Sequence, residues 1–518
     1  MRKNSWGDRM KKWLEKLAEG YRGAHETILF SDGRRNMTEE EFCTAVVQVH
    51  NRLVEAGVEH GMKILILIPI SIELYILLYA LWSIGATAVL FDSDMTFENM
   101  VECMKRVKPG IVFADNISGE LAGKLQKKSK CSIIHKIQEV LSYKEGRASF
   151  CGKIEFYPSE HALITFTGGN VGLPKAVARK YQYLGVEEDF IQKHFTYEKG
   201  EIDFAVILLF TILNPMYGLR TVIPSKELNR ISRIELAEQI QIEHVDRMVV
   251  TPFLLKRLTG YCLMYHTCFP TLKKVFVGGG PLYWQYLERI NKVFPNAQVK
   301  LLYGCCEAEP ITMYDLSWVT EEQKKAMCMG QGLLGGKITE GMCVKIIRNE
   351  PYVNFPNMTK SQFQKMCVED CPGEIVVSGK YVVNSYLDGE GDTQNKIQAD
   401  DIVWHRTGDL GQIKEDGLLY LYGRSRECVC YGQEEFYPFS EESRIYANFD
   451  VRQAAYFQWW EKRVLAVCCE REVYDAINNR KEEFHLDLVI RLDKIPLDRK
   501  HQSKIDYQSL HTMLSGNR

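Results

Sequence analysis

The sequence predicts an α/β protein with a large N-terminal part of parallel βαβ sheets and a small barrel-like subdomain, followed by a small α+β C-terminal domain. First, short apolar runs alternate with helical stretches over about the first four hundred residues, which is typical of βαβ units. Second, shorter strands with turn signals follow from about Gly373, which favours antiparallel pairing. Third, the last roughly ninety residues have the size of a small domain. The predicted strands include Lys63–Ile68, Gly110–Ala114, Asp203–Leu209, Arg247–Thr251, Lys274–Val277, Gly373–Ser378 and Leu418–Tyr422.

One apolar stretch, Ile64 to Phe91, is long enough to span a bilayer and contains Glu73 as its only charge. However, Pro69 and Gly85 divide it into three pieces. The positions of this proline and this glycine favour a strand, a helix and a second strand, with both strands buried in a parallel sheet. We therefore expect no transmembrane segment here.

Composition excludes several classes of protein. Apolar residues make up 46% and charged residues 25% of the 518 residues, as in soluble globular proteins. The net charge of −2 provides no general attraction for nucleic acid. Sixteen cysteines without a CxxC pair or a secretory leader favour a reducing cytoplasm. The spacing of Cys428-Val429-Cys430 is not that of a usual zinc site.

A glycine-rich run from Thr167 to Lys175 follows the apolar stretch Ala162–Ile164. A strand that opens into such a run presents backbone N–H groups to an anion, and the lysine adds positive charge, which indicates a phosphate-binding loop. It is not the common P-loop, because two residues separate Gly172 from Lys175 and Ala176 replaces the magnesium-binding hydroxyl residue. An ordinary surface loop is the alternative. The candidate phosphate-binding residues are Thr167, Gly168, Gly169, Asn170, Gly172 and Lys175.

Further motifs follow in a fixed order along the chain. They are Gly279-Gly280-Pro281, Tyr303-Gly304-Cys305-Cys306-Glu307, Trp404-His405-Arg406-Thr407-Gly408-Asp409, Gly423-Arg424 and Lys504. Together with the glycine-rich run, this set resembles the superfamily of adenylate-forming enzymes, which contains acyl-CoA synthetases, peptide-synthetase adenylation domains and luciferases. The resemblance extends from about residue 25 to the C-terminus. It implies an enzyme that uses ATP and Mg²⁺ to activate a carboxylic acid as its acyl-adenylate.

The resemblance also implies roles for individual residues. Glu307 matches the magnesium ligand, and oxygen ligation suits that ion. Asp409 matches the acceptor of the ribose hydroxyls, because a carboxylate accepts through two oxygens. Arg424 matches a group that assists at the ribose and the α-phosphate. Lys504 matches the C-terminal lysine that stabilises the developing charge, so Lys504, Glu307 and Arg424 are the candidate catalytic residues.

The adenine pocket is assigned by the same resemblance. Tyr303 matches the ring that stacks on adenine. Gly279, Gly280 and Pro281 are expected to line the same pocket. Gly304 and Cys306 are further candidates for ATP or AMP binding. A tight turn after the strand Lys274–Val277 explains the glycines equally well.

The chain departs from the superfamily pattern at several positions. Relatives place serine or threonine where this chain has Gly168, Asn170 and Val171, and threonine where it has Cys306. Loss of one hydrogen bond to a charged group costs about 1.5–3 kcal/mol. These departures predict a slower or retuned enzyme, and a nucleotide-binding or acyl-binding pseudoenzyme is an alternative.

The resemblance is strongest to the β-lactone synthetases of olefin biosynthesis, notably at Asp92–Thr96, Leu209–Pro215, Tyr303–Pro310 and Trp404–Gly411. It implies a β-hydroxy or fatty acid substrate whose own hydroxyl captures the acyl group as a β-lactone. The alternative is transfer to CoA or to a carrier protein. The candidate acyl-pocket residues are Phe210, Asn214 and Tyr217, for which a packing role is equally expected.

The domain organisation follows from the same resemblance. Residues 1–422 are expected to form the adenylating domain, residues 423–426 a hinge, and residues 427–518 a mobile C-terminal lid. Arg426 stands where many relatives carry an aspartate, so the hinge is not expected to behave identically.

Overall fold

The computed structural model describes residues 27–92, 95–114, 119–129, 133–141, 161–167, 173–181, 184, 193–498 and 502–516. Their contacts group the chain into two compact units. The first contains residues up to Val249 together with Ser385–Glu390, and the second contains Val250–Asn384 together with the chain from Gly391.

The first unit contains two sheets and the helices that connect their strands. The strands of one sheet lie in the spatial order Ile133–Lys136, Ile111–Ala114, Lys63–Leu67, Thr87–Leu90, His161–Phe166 and Ala176–Lys180, and only the last pair is antiparallel. The strands of the other are Arg247–Val250, Ile202–Phe204, Arg220–Val222, Ile28–Ser31 and Asn36–Thr38, again with only the last pair antiparallel. The described helices are Glu39–Glu55, Ile72–Ile84, Phe97–Val107, Gly119–Ser129, Ile137–Leu141, Leu208–Thr211, Asn214–Tyr217 and Arg233–Ile242. The predicted parallel βαβ architecture is confirmed.

The long apolar stretch forms the predicted strand, helix and strand. The helix Ile72–Ile84 begins where the Ser71 hydroxyl accepts a hydrogen bond from the Leu74 N–H. It ends at Gly85, whose φ of 78° lies in the left-handed region that favours glycine. Most of its side chains are buried, which explains the absence of a polar face. Among the described residues, no helix combines the length and apolarity that crossing a membrane requires.

One predicted strand, Asp203–Leu209, is wrong in its second half. The strand ends at Phe204, and a short helix, Leu208–Thr211, follows. A short apolar run does not by itself distinguish a buried strand from a buried helix, and here the chain turns after Phe204.

The second unit is mainly antiparallel. The sequence predicts this pairing from about Gly373, but it already begins with the strands Gln298–Cys305 and Ala308–Asp315, where further βαβ units are expected. In spatial order the strands of its largest sheet are Lys274–Val277, Gln298–Cys305, Ala308–Asp315, Leu333–Ile338, Leu418–Arg424, Ile402–Ile413, Gly373–Gly379 and Met342–Ile347, with Lys396–Ala399 beside Ile402–Ile413. Two smaller sheets follow in the chain, namely the hairpin of Val429–Tyr431 with Glu434–Phe436, and the sheet of Gln453–Trp459, Lys462–Cys468 and Leu488–Arg491. The described α-helices are Pro252–Tyr265, Trp284–Leu287, Ile290–Val293, Glu321–Cys328, Lys360–Gln364, Asp392–Asn395, Pro438–Asn448, Arg471–Asn479 and Tyr507–Gly516. The C-terminal region is therefore α+β, as predicted.

A buried carboxyl group, Glu442, lies in the core of the second unit. It is fully buried, and it accepts hydrogen bonds from the hydroxyls of Tyr283 and Tyr507 and from the Tyr456 N–H. Burial raises its pKa to about 7, although these hydrogen bonds partly oppose the shift. The folded protein therefore holds a proton on Glu442 at pH values where the unfolded chain releases it.

This proton predicts a pH-dependent stability. As the pH rises from about 5 to about 8, the unfolded chain releases this proton before the folded protein does. The free energy of unfolding therefore falls over this range, by up to roughly 3 kcal/mol. Glu442→Gln cannot ionise and is expected to flatten this fall in urea titrations at the two pH values. The exposed Glu472→Gln is the control and should retain the parental slope. An unchanged slope in Glu442→Gln contradicts the prediction.

Candidate active site

Asp409 lies at the centre of a group of polar side chains in the second unit. Its Oδ2 accepts a hydrogen bond of 2.9 Å from the Tyr303 hydroxyl. Its Oδ1 lies 2.8 Å from the Arg424 Nη1. The negative charge of Asp409 raises the pKa of Arg424 and, together with burial, that of Tyr303. Three residues that lie far apart in the sequence therefore form one hydrogen-bonded group.

Neighbouring strands bring these residues together. Asp409 lies on Ile402–Ile413 and is the direct cross-strand partner of Arg424, the last residue of Leu418–Arg424. Side chains of directly opposite residues share one face of the sheet, which accounts for their ion pair. Thr407 accepts a hydrogen bond from the Asp409 N–H and donates one to the Ile375 carbonyl, which fixes the turn of the motif.

Arg406 anchors this strand from its buried side, a role that sequence reasoning missed. Its Nη2 lies 2.6 Å from the Glu374 Oε2, and both side chains are almost fully buried. It also donates to the carbonyls of Glu350 and Val353. Because removal of one partner of a buried pair leaves an uncompensated charge, this contact holds the motif firmly in place.

Lys504 lies within the electrostatic range of the same group. Burial and the nearby Arg424 lower its pKa, while Asp409 and Asp498 partly oppose the shift. Its backbone is held by Asp498, whose Oδ1 accepts hydrogen bonds from the N–H groups of Lys504 and Ser503 at 2.6 and 2.9 Å. The C-terminal segment therefore fixes the backbone of Lys504 at a place within the electrostatic range of Asp409 and Arg424.

The glycines of Gly279-Gly280-Pro281 are explained by close approach and by backbone conformation. Gly279 has a φ of 88°. A Cβ on Gly280 would lie only 2.6 Å from the Ser503 Cβ, so this position requires glycine in the present arrangement. Ser503 also accepts a hydrogen bond of 3.1 Å from the Phe253 N–H. The segment that carries Lys504 thus packs directly on these glycines.

Glu307 is nearly buried, and its carboxylate faces the side chains of Cys305 and His405. One atom of each side chain lies within 4.8 Å of the others, and the Glu307 Oε2 is 3.9 Å from the His405 Nε2. Burial and the adjacent Glu307 carboxylate raise the pKa of the Cys305 thiol, which favours the neutral form of that thiol. Its carboxylate suits Mg²⁺, which prefers oxygen ligands and takes the remainder from phosphates and water.

Two further residues of these motifs lie near this group. Gly304 is tightly packed, since a Cβ there would lie 2.8 Å from the Ala308 carbonyl oxygen. Cys306 is half-buried and contributes to the electrostatic environment of Lys504.

Thr167 and Lys175 close the base of the glycine-rich loop in the first unit. The Thr167 N–H donates to the Lys175 carbonyl at 3.0 Å, and the Lys175 N–H donates to the Thr167 hydroxyl at 3.3 Å. The Lys175 ammonium lies 5.6 Å from the centre of the Tyr386 ring. The candidates Gly168, Gly169, Asn170 and Gly172 lie outside the described residues.

The three acyl-pocket candidates occupy two short helices of the first unit. Asn214 is fully buried and donates hydrogen bonds to Asp203 and Thr221 at 3.1 and 3.2 Å. Phe210 stacks on Phe195. Tyr217 packs against Tyr197. These contacts describe the packing role that the sequence also allows.

Comparison with known proteins assigns the chain to a family. The family model described as "AMP-binding enzyme" matches residues 14–387. An olefin β-lactone synthetase of Stenotrophomonas maltophilia is 23% identical over 72% of this chain and 69% of its own length. A 2-succinylbenzoate–CoA ligase of Geobacillus kaustophilus is 25% identical over 83% of this chain and 81% of its own length.

Solved structures agree in fold. The O-succinylbenzoate coenzyme A synthetase of Bacillus subtilis, in complex with ATP and magnesium ion, superposes with a TM-score of 0.75 at 19% identity, covering 96% of this chain and 98% of its own. The amide bond synthetase of Marinactinospora thermotolerans gives a TM-score of 0.77 at 17% identity, covering 97% and 99%. Since the family model matches more than half of the chain, the protein belongs to the family of AMP-binding enzymes and has the fold of the adenylate-forming ligases.

Proposed function

We propose that the protein activates a carboxylic acid with ATP, forming an acyl-adenylate and pyrophosphate. The observation that carries this proposal is the group in which Asp409 binds both Tyr303 and Arg424, with Lys504 within the electrostatic range of Asp409 and Arg424. Two cations beside a carboxylate that has spare acceptor sites suit a substrate with an anionic phosphate and a neutral ribose. Catalysis in such a site consists mainly of positioning and charge stabilisation.

In the proposed reaction, a carboxylate oxygen of the acid attacks the α-phosphorus of ATP. The bond from that phosphorus to the pyrophosphate oxygen breaks, and pyrophosphate leaves with the electron pair. Lys504 and Arg424 stabilise the negative charge that develops on the α-phosphate. Asp409 accepts hydrogen bonds from the ribose hydroxyls, because each of its oxygens can accept a second bond beside the one it already has.

The remaining candidates complete the nucleotide site. Tyr303 offers its ring to adenine beside Gly279, Gly280 and Pro281. The glycine-rich run from Thr167 to Lys175 is proposed to hold the phosphates through its backbone N–H groups. Glu307 is proposed to hold Mg²⁺, which neutralises phosphate charge when it is bound.

For the second step we propose intramolecular capture of a β-hydroxy acid. The β-hydroxyl oxygen attacks the acyl carbon, AMP leaves, the hydroxyl proton is released, and a four-membered lactone results. The olefin β-lactone synthetase relatives support this outcome. The 2-succinylbenzoate–CoA ligase relatives, at similar identity, support transfer to CoA as the second candidate.

The two outcomes are tested by measuring pyrophosphate release from ATP and Mg²⁺ against a panel of fatty, β-hydroxy and aryl acids, with and without CoA. The lactone proposal expects release without CoA and a product lighter than the acid by one water. Release that depends on CoA supports the ligase. Nucleotide binding without release from any acid, with CoA or a carrier protein supplied, favours the pseudoenzyme.

We also propose residues 1–422 as the adenylating domain, residues 423–426 as a hinge and residues 427–518 as a lid. In the present arrangement Ser503 contacts Gly280 and Phe253, which supports docking of the C-terminal segment on the part that carries Tyr303. The loop of Asp498 that presents Lys504 belongs to the same segment.

The variant Gly280→Ala tests whether the C-terminal segment docks in this way during catalysis. The added Cβ would come within 2.6 Å of the Ser503 Cβ, so the segment that carries Lys504 has to move away. Displacement of a positioned group by about 1 Å costs up to about a hundredfold in rate, so we expect pyrophosphate release to slow by about ten- to a hundredfold. Gly123→Ala is the matched control, because its added Cβ meets open space. A parental rate in Gly280→Ala would argue against the docked arrangement.

A further inference from the structure

The hairpin of Val429–Tyr431 and Glu434–Phe436, together with the residue before it, brings close together three side chains of types that can bind a metal. Gly432, with a φ of 65°, forms its turn. Side chains two residues apart in a strand share a face, which aligns Cys428 with Cys430. The register places Glu435 directly opposite Cys430, so its carboxylate lies on that same face.

The structure brings the ligand atoms of these three residues within 4.8 Å of one another. Two sulfurs on a tetrahedral zinc ion lie about 3.8 Å apart, so the three side chains need to move only slightly closer together to bind an ion. Spacing along the chain predicts no zinc site at Cys428-Val429-Cys430. The third ligand comes from the opposite strand, and a spacing rule does not reveal it.

A second contact orients the carboxylate. The Tyr437 hydroxyl donates a hydrogen bond of 2.8 Å to the Glu435 Oε2, which leaves the other oxygen for a ligand. Metal-binding carboxylates are commonly held by such an outer hydrogen bond. Cys430 and Glu435 are exposed and Cys428 is half-buried, so an ion can reach the site from solution.

We propose that Cys428, Cys430 and Glu435 form a binding site for a thiophilic divalent cation of the zinc class. Two thiolates and one carboxylate are a donor set that favours zinc over magnesium or calcium. Binding releases one proton from each thiol to the solvent and oxidises nothing, and solvent supplies the fourth ligand. The site is separate from Glu307. A bound ion would link the two strands of the hairpin, Val429–Tyr431 and Glu434–Phe436, to each other.

The test uses the full-length protein, fully reduced and stripped of metal with a chelator, and titrates it with Co²⁺. The expected result is a thiolate-to-cobalt charge-transfer band in the near ultraviolet that saturates at one equivalent and disappears when Zn²⁺ is added. The Cys428→Ser/Cys430→Ser double variant should lose the band. Cys343→Ser, which alters an exposed thiol on another strand, should keep it. Tyr437→Phe should weaken Co²⁺ binding by about ten- to a hundredfold.

A measurement on the unmodified chain guards against a misfolded variant. Zn²⁺ should protect Cys428 and Cys430, but not Cys343, from alkylation by iodoacetamide, as read from the digested peptides. No cobalt band, a band that survives in the folded double variant, or alkylation of Cys428 and Cys430 at the same rates with and without Zn²⁺ would each overturn the proposal. None of these readouts depends on adenylation, so they remain valid if the proposed function fails.

Discussion

Lys504→Ala is expected to slow acid-dependent pyrophosphate release by about a hundred- to a thousandfold, the usual cost of removing one group that stabilises transition-state charge. ATP affinity should change little, because Asp409, Tyr303 and Arg424 are retained. Pyrophosphate release and equilibrium nucleotide binding, measured on the same preparation, separate the two effects. Lys494→Ala is the matched control, because it removes an exposed lysine from the same C-terminal segment. A parental rate in Lys504→Ala would contradict the proposed mechanism.

The pH dependence of the rate tests the same residue independently. Burial and Arg424 lower the pKa of Lys504, so its ammonium loses a proton at a lower pH than an ordinary lysine does. If activity requires the charged form, the rate should fall as the pH rises. This fall should begin at a pH below the one at which an ordinary lysine loses its proton. Lys504→Arg stays charged throughout and should lose that alkaline limb, whatever its residual rate. An alkaline limb that is identical in both proteins would assign the titration to another group.

The sequence predicted the parts of the fold and site that local patterns encode. The strand, helix and strand between Lys63 and Leu90 follow from apolar runs that Pro69 and Gly85 interrupt, and the structure has them within a residue or two. Asp409 and Arg424 belong to short motifs that the sequence shows directly, and the structure pairs them as direct cross-strand neighbours.

Partners that depend on strand register could not be predicted. Glu374 neutralises Arg406 from a neighbouring strand, 32 residues away in the chain, and no local pattern links the two. Glu435 joins Cys430 in the same way, across a hairpin whose register the sequence does not state. Asn214 shows a further limit of prediction. An asparagine that binds a buried carboxylate such as Asp203 cannot be distinguished, from the sequence alone, from an asparagine that lines a substrate pocket.

Asp409→Ala is expected to weaken ATP binding by roughly ten- to a hundredfold, the equivalent of one hydrogen bond to a charged group. The Asp409 carboxylate also holds Tyr303 and Arg424, so its loss removes a hydrogen bond from the tyrosine and an ion pair from the arginine. Asp409→Asn keeps the shape and one acceptor oxygen, and it should fall between the parent and the alanine variant.

A carboxylate in the turn between the strands Ile402–Ile413 and Leu418–Arg424 provides the control for this experiment. Asp416 accepts a hydrogen bond of 3.0 Å from the Tyr420 hydroxyl, so Asp416→Ala removes a comparable contact away from Arg424. Isothermal titration of ATP into the three variants distinguishes ribose recognition from a general loss of packing. If Asp409→Ala binds ATP as tightly as Asp416→Ala, the proposed contact between Asp409 and the ribose is wrong. If it binds more weakly while its thermal unfolding midpoint matches that of Asp416→Ala, the lost affinity belongs to the nucleotide site that Asp409 forms with Arg424 and Tyr303, and not to a general loss of packing.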